Sequence, residues 1–447
     1  MQVVVNGAGI AGLASAAYLR LLPQVAKVTV LDSSADLTHS FPAERKYTGL
    51  WTPALKCLDE LCASSTSKTL MQEAMFISGS GYRGWKKGEW IIRPNSGLQP
   101  YMANSNEPAL GFFTNKAILT ALHESLYMQG KLGRNVSTPN IRYKTTLSSI
   151  HPGYVETSTG NLPCDLLIAA DGAESATYSL LHGRPGEASS SSTDRLRYRG
   201  YDVYRGVTQQ SLRKVGESFQ MWGPGARFAM VPVRASRVSS IKQSGKAVGS
   251  KRSNKDGSGS GAGELLGTYA WFAAISRKGP APSASDSSPT PFSGPFSNKS
   301  YTANPALLGD LRESLHGWPK LVEDVLDQTR HIDYSDVTVT PAWASRKVEQ
   351  VSKVYSLVTD HAPAGTESAA GGGAMPVAFV GDAFHTFDPI LAVGAGAALE
   401  QARALYYCLQ SSAGGDTSAA SIATALQQFN GTVCARAQKL DVVSDLA

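Results

Sequence analysis

Residues 2–32, QVVVNGAGIAGLASAAYLRLLPQVAKVTVLD, decide the fold. Val3, Val4 and Val5 read as a strand buried on both faces, as parallel strands are. Gly7-Ala8-Gly9-Ile10-Ala11-Gly12 follows and opens a helix over 11–22, and Val28-Thr29-Val30-Leu31 reads as a second strand. The glycines permit a tight turn and let backbone N–H groups approach a pyrophosphate, to which the helix N-terminus presents its partial positive charge. Asp32 stands twenty residues after the last glycine, placed to accept hydrogen bonds from a ribose. The unit reads as a dinucleotide site, and by itself it does not separate FAD from NAD.

Two later segments also end a strand on an acid. In Cys164-Asp165-Leu166-Leu167-Ile168-Ala169-Ala170-Asp171-Gly172 an apolar strand delivers a carboxylate to the C-terminal edge of a sheet, where open α/β folds bind ligands. Taken alone, it is equally an ordinary strand-to-turn junction. Residues 377–402, VAFVGDAFHTFDPILAVGAGAALEQA, give a strand ending at Gly381-Asp382, a loop with Pro389, and small residues that open a helix near Gly394 and Ala395. An acid after a strand suits a polyhydroxyl chain, and a helix N-terminus beyond it favours negative charge.

The rest of the chain sets bounds. At 447 residues it exceeds one ordinary core, so two domains are expected. No apolar run reaches the roughly 18 residues of a membrane helix, which argues against an integral membrane segment. The first strand begins directly after Met1 and leaves no room for a signal peptide. A cytoplasmic setting, or an organelle lumen after loss of a transit peptide, is the expectation. The five cysteines lack metal-ligand spacing and read as reduced thiols; no metal site is expected.

The net charge of +6 equals the excess of one segment, residues 234–256, which has seven Lys/Arg against one acid. That segment is rich in Ser and Gly and reads as a solvated loop, so no nucleic-acid partner is expected. Residues 236–263 and 279–300 read as inserted loops, and the serine run 189–193 as a crossover between domains. Residues 52–62 carry a helical face through Leu55, Leu58 and Leu61, whereas 85–94 and 198–207 read as sheet.

In order and spacing, the three glycine–acid segments resemble the GxGxxG, DG and GD motifs of the class A flavoprotein monooxygenases. That superfamily includes p-hydroxybenzoate hydroxylase, salicylate hydroxylase and zeaxanthin epoxidase, and the last two are the most similar branch. Gly49-Leu50-Trp51-Thr52-Pro53-Ala54-Leu55 resembles the family's GLWPNAL-type helix start. Tyr198-Arg199-Gly200-Tyr201-Asp202-Val203-Tyr204-Arg205-Gly206 is similar to its YxGYxxWRG strand, and Gly223-Pro224-Gly225-Ala226-Arg227-Phe228 to its GxGARF hairpin.

The resemblance implies an α/β fold: a discontinuous Rossmann-like FAD-binding domain of the GR2 type with an inserted, mostly β substrate domain. The FAD-binding parts fall at 1–75, 101–185 and 346–447, and the substrate-domain parts at 76–100 and 186–345. It implies FAD in an extended pose, with Gly7, Gly9, Ile10, Ala11 and Gly12 at the pyrophosphate and Asp32 on the adenosine ribose. Asp171, from the DG motif, belongs to the same cofactor site. Gly381 and Asp382 fall near the ribityl chain, and Pro389, Gly394 and Ala395 at the helix start facing the flavin. Arg45 sits where the family often has an FAD-contacting arginine, and Asn115 stands where another arginine is usual, beside Lys116. The family's P-x-x-G-Q-G reads here Pro389-Ile390-Leu391-Ala392-Val393-Gly394, with Ala392 and Val393 in place of Gly and Gln.

The implied activity is NAD(P)H- and O₂-dependent hydroxylation or epoxidation of a small aromatic or polyene-like substrate through a flavin C4a-hydroperoxide. NAD(P)H is a co-substrate without a domain of its own. His385 is the titratable group expected near the flavin, there to make a structural hydrogen bond or to transfer a proton, and Arg205 faces the cavity or braces the sheet. Tyr201, Tyr204, Phe228 and Met230 line an apolar pocket or pack in the core. Two other readings stay open: another flavin enzyme on this scaffold, such as a reductase or a halogenase (the latter without its W-x-W-x-I-P signature), and an FAD-binding protein without turnover.

Overall fold

The strand Gln2–Asn6 lies inside a sheet whose order is Lys353–Leu357, Gly373–Phe379, Leu166–Ala169, Gln2–Asn6, Lys27–Leu31, Asn140–Arg142. The structure is a computed structural model that describes residues 1–36, 47–77, 80–93, 110–128, 139–182, 195–211, 218–233, 266–277, 305–330, 337–357, 373–413 and 416–446. Arg45, the segments 236–263 and 279–300 and the run 189–193 lie outside these residues. All neighbours in this sheet are parallel except the outermost pair, Lys353–Leu357 with Gly373–Phe379. Val3, Val4 and Val5 are buried, as a strand covered on both faces requires.

The glycine helix, Ile10–Leu19, packs on the long helix Gly394–Ala413 and on Asn115–Ser125. Arg20, just past its end, is buried and has no carboxylate partner among the described residues. Its guanidinium donates instead to the carbonyls of Ser125, Leu126 and Met128, closing the C-terminus of Asn115–Ser125, where the helix dipole favours a cation. The C-terminal helix, Ala419–Leu446, covers Gly394–Ala413. No helix of the described residues is long and apolar enough to cross a membrane.

A second sheet has seven described strands, in the order Thr338–Ser345, Leu196–Ser211, Leu266–Ser276, Ala226–Pro232, Phe219–Gly223, Gly81–Arg83, Trp90–Ile92. Its strands come from both sides of the segment that supplies Leu166–Ala169 to the first sheet, so the two units interleave along the chain. The expected strand over 85–94 is shorter than read: residues between Arg83 and Trp90 form a turn. Gly88 there adopts φ +75°, a left-handed value that ends extended structure.

Alternation gives this sheet two unlike faces. The row Tyr204, Ala273, Phe228 and Met221 is buried beneath the helices Pro305–Ser314 and Lys320–Arg330. Tyr204, Phe228 and Met230 therefore belong to the core and not to a substrate pocket. The opposite face carries the row Arg205, Phe272, Ala229 and Gln220. It meets a small sheet, Met75–Ile77, Tyr47–Trp51 and Leu110–Thr114, through Phe112, Tyr47 and Leu110.

Candidate active site

Close backbone approach brings the three glycine motifs together. A Cβ on Gly7, whose φ is +111°, would meet the Ala170 carbonyl oxygen at 2.4 Å, and one on Gly12 would meet the Gly7 oxygen at 1.8 Å. A Cβ on Gly381, whose φ is +63°, would likewise come within 2.7 Å of the Ala11 methyl carbon of the glycine helix. Ile10 and Ala11 form the first turn of that helix. The sheet ladder fixes this register through Gly7 N–H to Leu31 O (2.8 Å), Ala170 N–H to Asn6 O (2.9 Å) and Val380 N–H to Ala169 O (2.9 Å). Gly9 differs from its neighbours: among the described residues, its chain neighbours aside, no atom lies within 4 Å of its would-be Cβ. The turn is thus tight against the sheet and open at Gly9, the arrangement a pyrophosphate cradle needs.

Asp32 has protein donors of its own. Its carboxylate accepts from Ala8 N–H at 2.8 Å and from Ser34 N–H at 2.8 Å, with the Ser34 hydroxyl as a further donor. It ties the second strand to the glycine turn and still has acceptor capacity left.

Asp171 is turned inward. It accepts from Ser175 Oγ (2.7 Å), Thr177 N–H (2.9 Å), Thr177 Oγ1 (2.9 Å) and Asn6 Nδ2 (3.0 Å). These bonds join two strand ends to the short helix Ala176–His182. Asn115 begins the helix Asn115–Ser125, and its Oδ1 accepts from the Thr48 hydroxyl of the neighbouring strand.

Asp382 is the opposite case. No donor among the described residues reaches its carboxylate, which keeps accessible surface although protein packs densely around it. That desolvation raises its pKa to about 6, while the nearby His385 pulls it back. Gly394 lies beside Asp382 Oδ1, 3.9 Å from a would-be Cβ, so the acid sits at the start of helix Gly394–Ala413, with Ala395 in its first turn. A carboxylate with unused acceptors at this place fits the hydroxyls of a ribityl chain, and the fit extends to the open cradle at Gly9. The residues present match FAD.

His385 makes a structural hydrogen bond, one of the two readings its position allowed. It is buried, its Nε2 pairs with Asp441 Oδ1 of the C-terminal helix at 3.0 Å, and its ring meets Phe387 edge-on. It also lies near Asp382, whose pKa it pulls down. Arg205 points to the face of the large sheet opposite the helix-covered one. Its Nη1 donates to Thr340 Oγ1 at 2.6 Å, no carboxylate among the described residues pairs with it, and burial lowers its pKa to about 10. It remains a cation at neutral pH.

Pro389 starts a short turn, Pro389–Leu391, with Asp388 accepting from Ile390 N–H at 3.0 Å. The next residue, Ala392, has φ +51°, so the family's glycine at this position answers a left-handed backbone that alanine adopts under strain. Ala392→Gly is expected to stabilise the protein by roughly 0.5–1 kcal/mol, the relief of strain exceeding the added chain entropy. Thermal unfolding measures it; an unchanged or lower Tm contradicts the strain.

Several residues that build the site carried no signal in the motifs. Arg195 donates to the carbonyls of Ala383 (2.9 Å) and Phe384, and Gln401 Oε1 accepts from Gly381 N–H at 2.6 Å; together they clamp the Gly381-Asp382 turn. Asp388 was legible in part, because an acid before proline is a helix-start signature.

Comparison with solved structures gives the fold its relatives. An arginine-to-glutamine variant of Klebsiella pneumoniae HpxO complexed with FAD superposes with a TM-score of 0.63 at 18% identity, covering 99% of this chain and 88% of that one. PqsL of Pseudomonas aeruginosa, described as a probable FAD-dependent monooxygenase, gives 0.59 at 13% identity over 99% and 94% of the two chains. The chain has the fold of FAD-dependent monooxygenases. The tetrameric 2-methyl-3-hydroxypyridine-5-carboxylic acid oxygenase shares it as well, with a TM-score of 0.58 at 16% identity over 99% of this chain and 89% of the other. No protein-family model matches the sequence, and no curated protein matches it significantly. The monooxygenase fold is thus reached through the sheet pair and the converging motifs, not through overall sequence likeness.

Proposed function

We propose that the chain binds one FAD noncovalently and uses NAD(P)H and dioxygen to hydroxylate or epoxidise a small aromatic or polyene-like molecule. The observation that carries this reading is the pairing of an open glycine cradle at Gly9 with an acid, Asp382, that no protein donor among the described residues satisfies. Both lie on the side of the sheet where the three motifs converge. When bound, FAD supplies the passage of electrons from NAD(P)H to dioxygen.

The chain's own residues bind, orient and desolvate. The Gly7–Gly12 turn and the helix behind it hold the pyrophosphate, and Asp32 and Asp382 hold the two sugar-like chains. Phe112 and Phe272 keep water out where the small sheet packs on the face of the large one that carries Arg205. Arg205 offers there a guanidinium that pairs with no carboxylate of the described residues, suited to an acceptor or acidic group on the substrate. Among the neighbours, HpxO was captured with FAD and uric acid, a small planar molecule rich in acceptors, at 18% identity and a TM-score of 0.61.

The test is NADH and NADPH oxidation with oxygen uptake by the FAD-loaded protein, screened against aromatic and polyene compounds. The expected result is oxidation stimulated by a compound that is itself oxygenated. Oxidation without oxygen uptake would identify a reductase instead, and FAD binding without oxidation by any compound a protein that does not turn over.

A further inference from the structure

Asp388 joins the two halves of the site. It is buried at 3% exposure and accepts from Arg199 Nε at 2.6 Å, from the Tyr201 hydroxyl and from Ile390 N–H at 3.0 Å. Arg199 and Tyr201 belong to the strand Leu196–Ser211, which also carries Arg205 to the face opposite the helix-covered one. Ile390 belongs to the turn that runs through Ala392 and Val393 into helix Gly394–Ala413. Between the two donors Gly200 takes φ +81°, and the strand's register against Thr338–Ser345 slips between Tyr198 and Asp202. The strand bends where it meets the acid.

A second acid grips the same arginine from outside. Asp445 of the C-terminal helix lies 2.9 Å from Arg199 Nη1 and 3.1 Å from Arg197 Nη2. One turn earlier on that helix Asp441 takes His385, three residues after Asp382. Arg199 is therefore suspended between a buried and an exposed carboxylate, and the buried one is fixed to the turn. Three donors converging on one desolvated carboxylate set direction as well as distance, which an apolar contact free to slide does not.

We propose that Asp388 is a positioning residue that sets the spacing between the flavin-binding turn and the substrate-facing side of the large sheet, acting through Tyr201 and Arg199. The proposal rests on FAD occupying the site described above. Oxygen transfer between two bound molecules depends on placement to about 1 Å. A rigid strut between the elements that hold each of them meets that demand. Neither Asp388 nor Tyr201 is assigned a contact with FAD, so loosening the strut moves the flavin without removing its anchors.

The experiment uses the full chain loaded with FAD, as wild type, Asp388→Asn and Tyr201→Phe. FAD affinity is read by titration, and the flavin's environment by its visible absorption bands and by iodide quenching of its emission. FAD affinity is expected to change less than about threefold, while iodide accessibility rises several-fold in Asp388→Asn and to a smaller degree in Tyr201→Phe. If Asp388→Asn does not fold, Tyr201→Phe, which loses one hydroxyl, decides alone. Unaltered bands and accessibility in the folded variants overturn the positioning role, and so does a loss of FAD affinity that accounts for the change. A wild type that takes up no FAD overturns the functional reading first and this proposal with it.

Discussion

Gly9→Val is expected to leave the apoprotein folded and to abolish FAD binding, whereas Gly12→Ala is expected to lose both. The two glycines sit three residues apart in one motif and face different things. Gly9 has φ −73° and ψ −173°, extended backbone that a β-branched residue adopts readily, and its would-be Cβ meets no atom of the other described residues within 4 Å. Valine there costs the protein little and fills the path by which a pyrophosphate reaches the backbone N–H groups, so affinity should fall at least about a hundredfold. At Gly12 the added methyl would sit 1.8 Å from the Gly7 carbonyl oxygen and 3.3 Å from the Ala170 Cβ. No rotation relieves an overlap with backbone, so the helix must lift from the turn, at a cost of roughly 3 kcal/mol or more. Melting temperature and FAD retained after gel filtration separate the cases. A Gly9→Val protein that keeps full FAD occupancy shows that this turn is not the cofactor site. One that unfolds shows that the space at Gly9 is not open.

That contrast marks what local sequence can and cannot specify. The strand, turn, helix and strand of residues 2–32 were legible because each rests on near neighbours: three valines, three glycines and an acid at fixed spacing. The need for glycine at Gly12 is local too, since the clash is with Gly7. Which acids remain free was not legible. Asp171 and Asp382 both end a strand in an apolar context, and only the fold tells them apart: Asp171 meets Asn6, 165 residues away, and Asp382 meets no described donor. His385 was expected beside the flavin on the strength of its spacing from Asp382. Its partner, Asp441, comes from a helix that no motif announces.

The large sheet shows the same limit. Alternation predicts that Tyr204 and Arg205 point to opposite faces, and they do, but nothing near them says which face is covered. The cover comes from the helices Pro305–Ser314 and Lys320–Arg330, about a hundred residues later in the chain. Phe228 and Met230 follow Tyr204 into that core, while Arg205 points to the opposite face. Turn chemistry was partly legible, in Asp388-Pro389 and in the glycine that Ala392 replaces. What the turn is tied to was not, because Arg199 and Asp388 are 189 residues apart.

Asp382→Asn is expected to act in opposite directions on the empty and the loaded protein. In the empty protein desolvation raises the carboxyl from 3.8 to about 6. The folded state thus binds this proton more readily than the unfolded chain. The resulting stability is fully present below about pH 4, the unfolded value, and is lost as the pH rises through about 6. Above that range the charged carboxylate is a net cost, held to roughly 1–2 kcal/mol because the group keeps contact with solvent that screens it. Asparagine removes the charge, so the apoprotein's melting temperature at pH 7.5 should rise and its decline between about pH 4 and 7 should flatten. In the loaded protein the ribityl hydroxyls donate to the carboxylate, and such charged bonds are worth roughly 1.5–3 kcal/mol, or about ten- to a hundredfold in affinity. Asp382→Asn should therefore weaken FAD while stabilising the empty chain, and Asp382→Ala should weaken it further. A merely structural acid at the turn predicts the reverse, an apoprotein destabilised by both changes. Melting curves of the apoprotein across pH, with FAD titrations of both variants, give the sign of each effect. Unchanged affinity in both variants would remove Asp382 from the cofactor site. Where affinity falls, the ratio of product to NAD(P)H consumed should fall with it, because a flavin held less firmly delivers its electrons to peroxide instead of substrate.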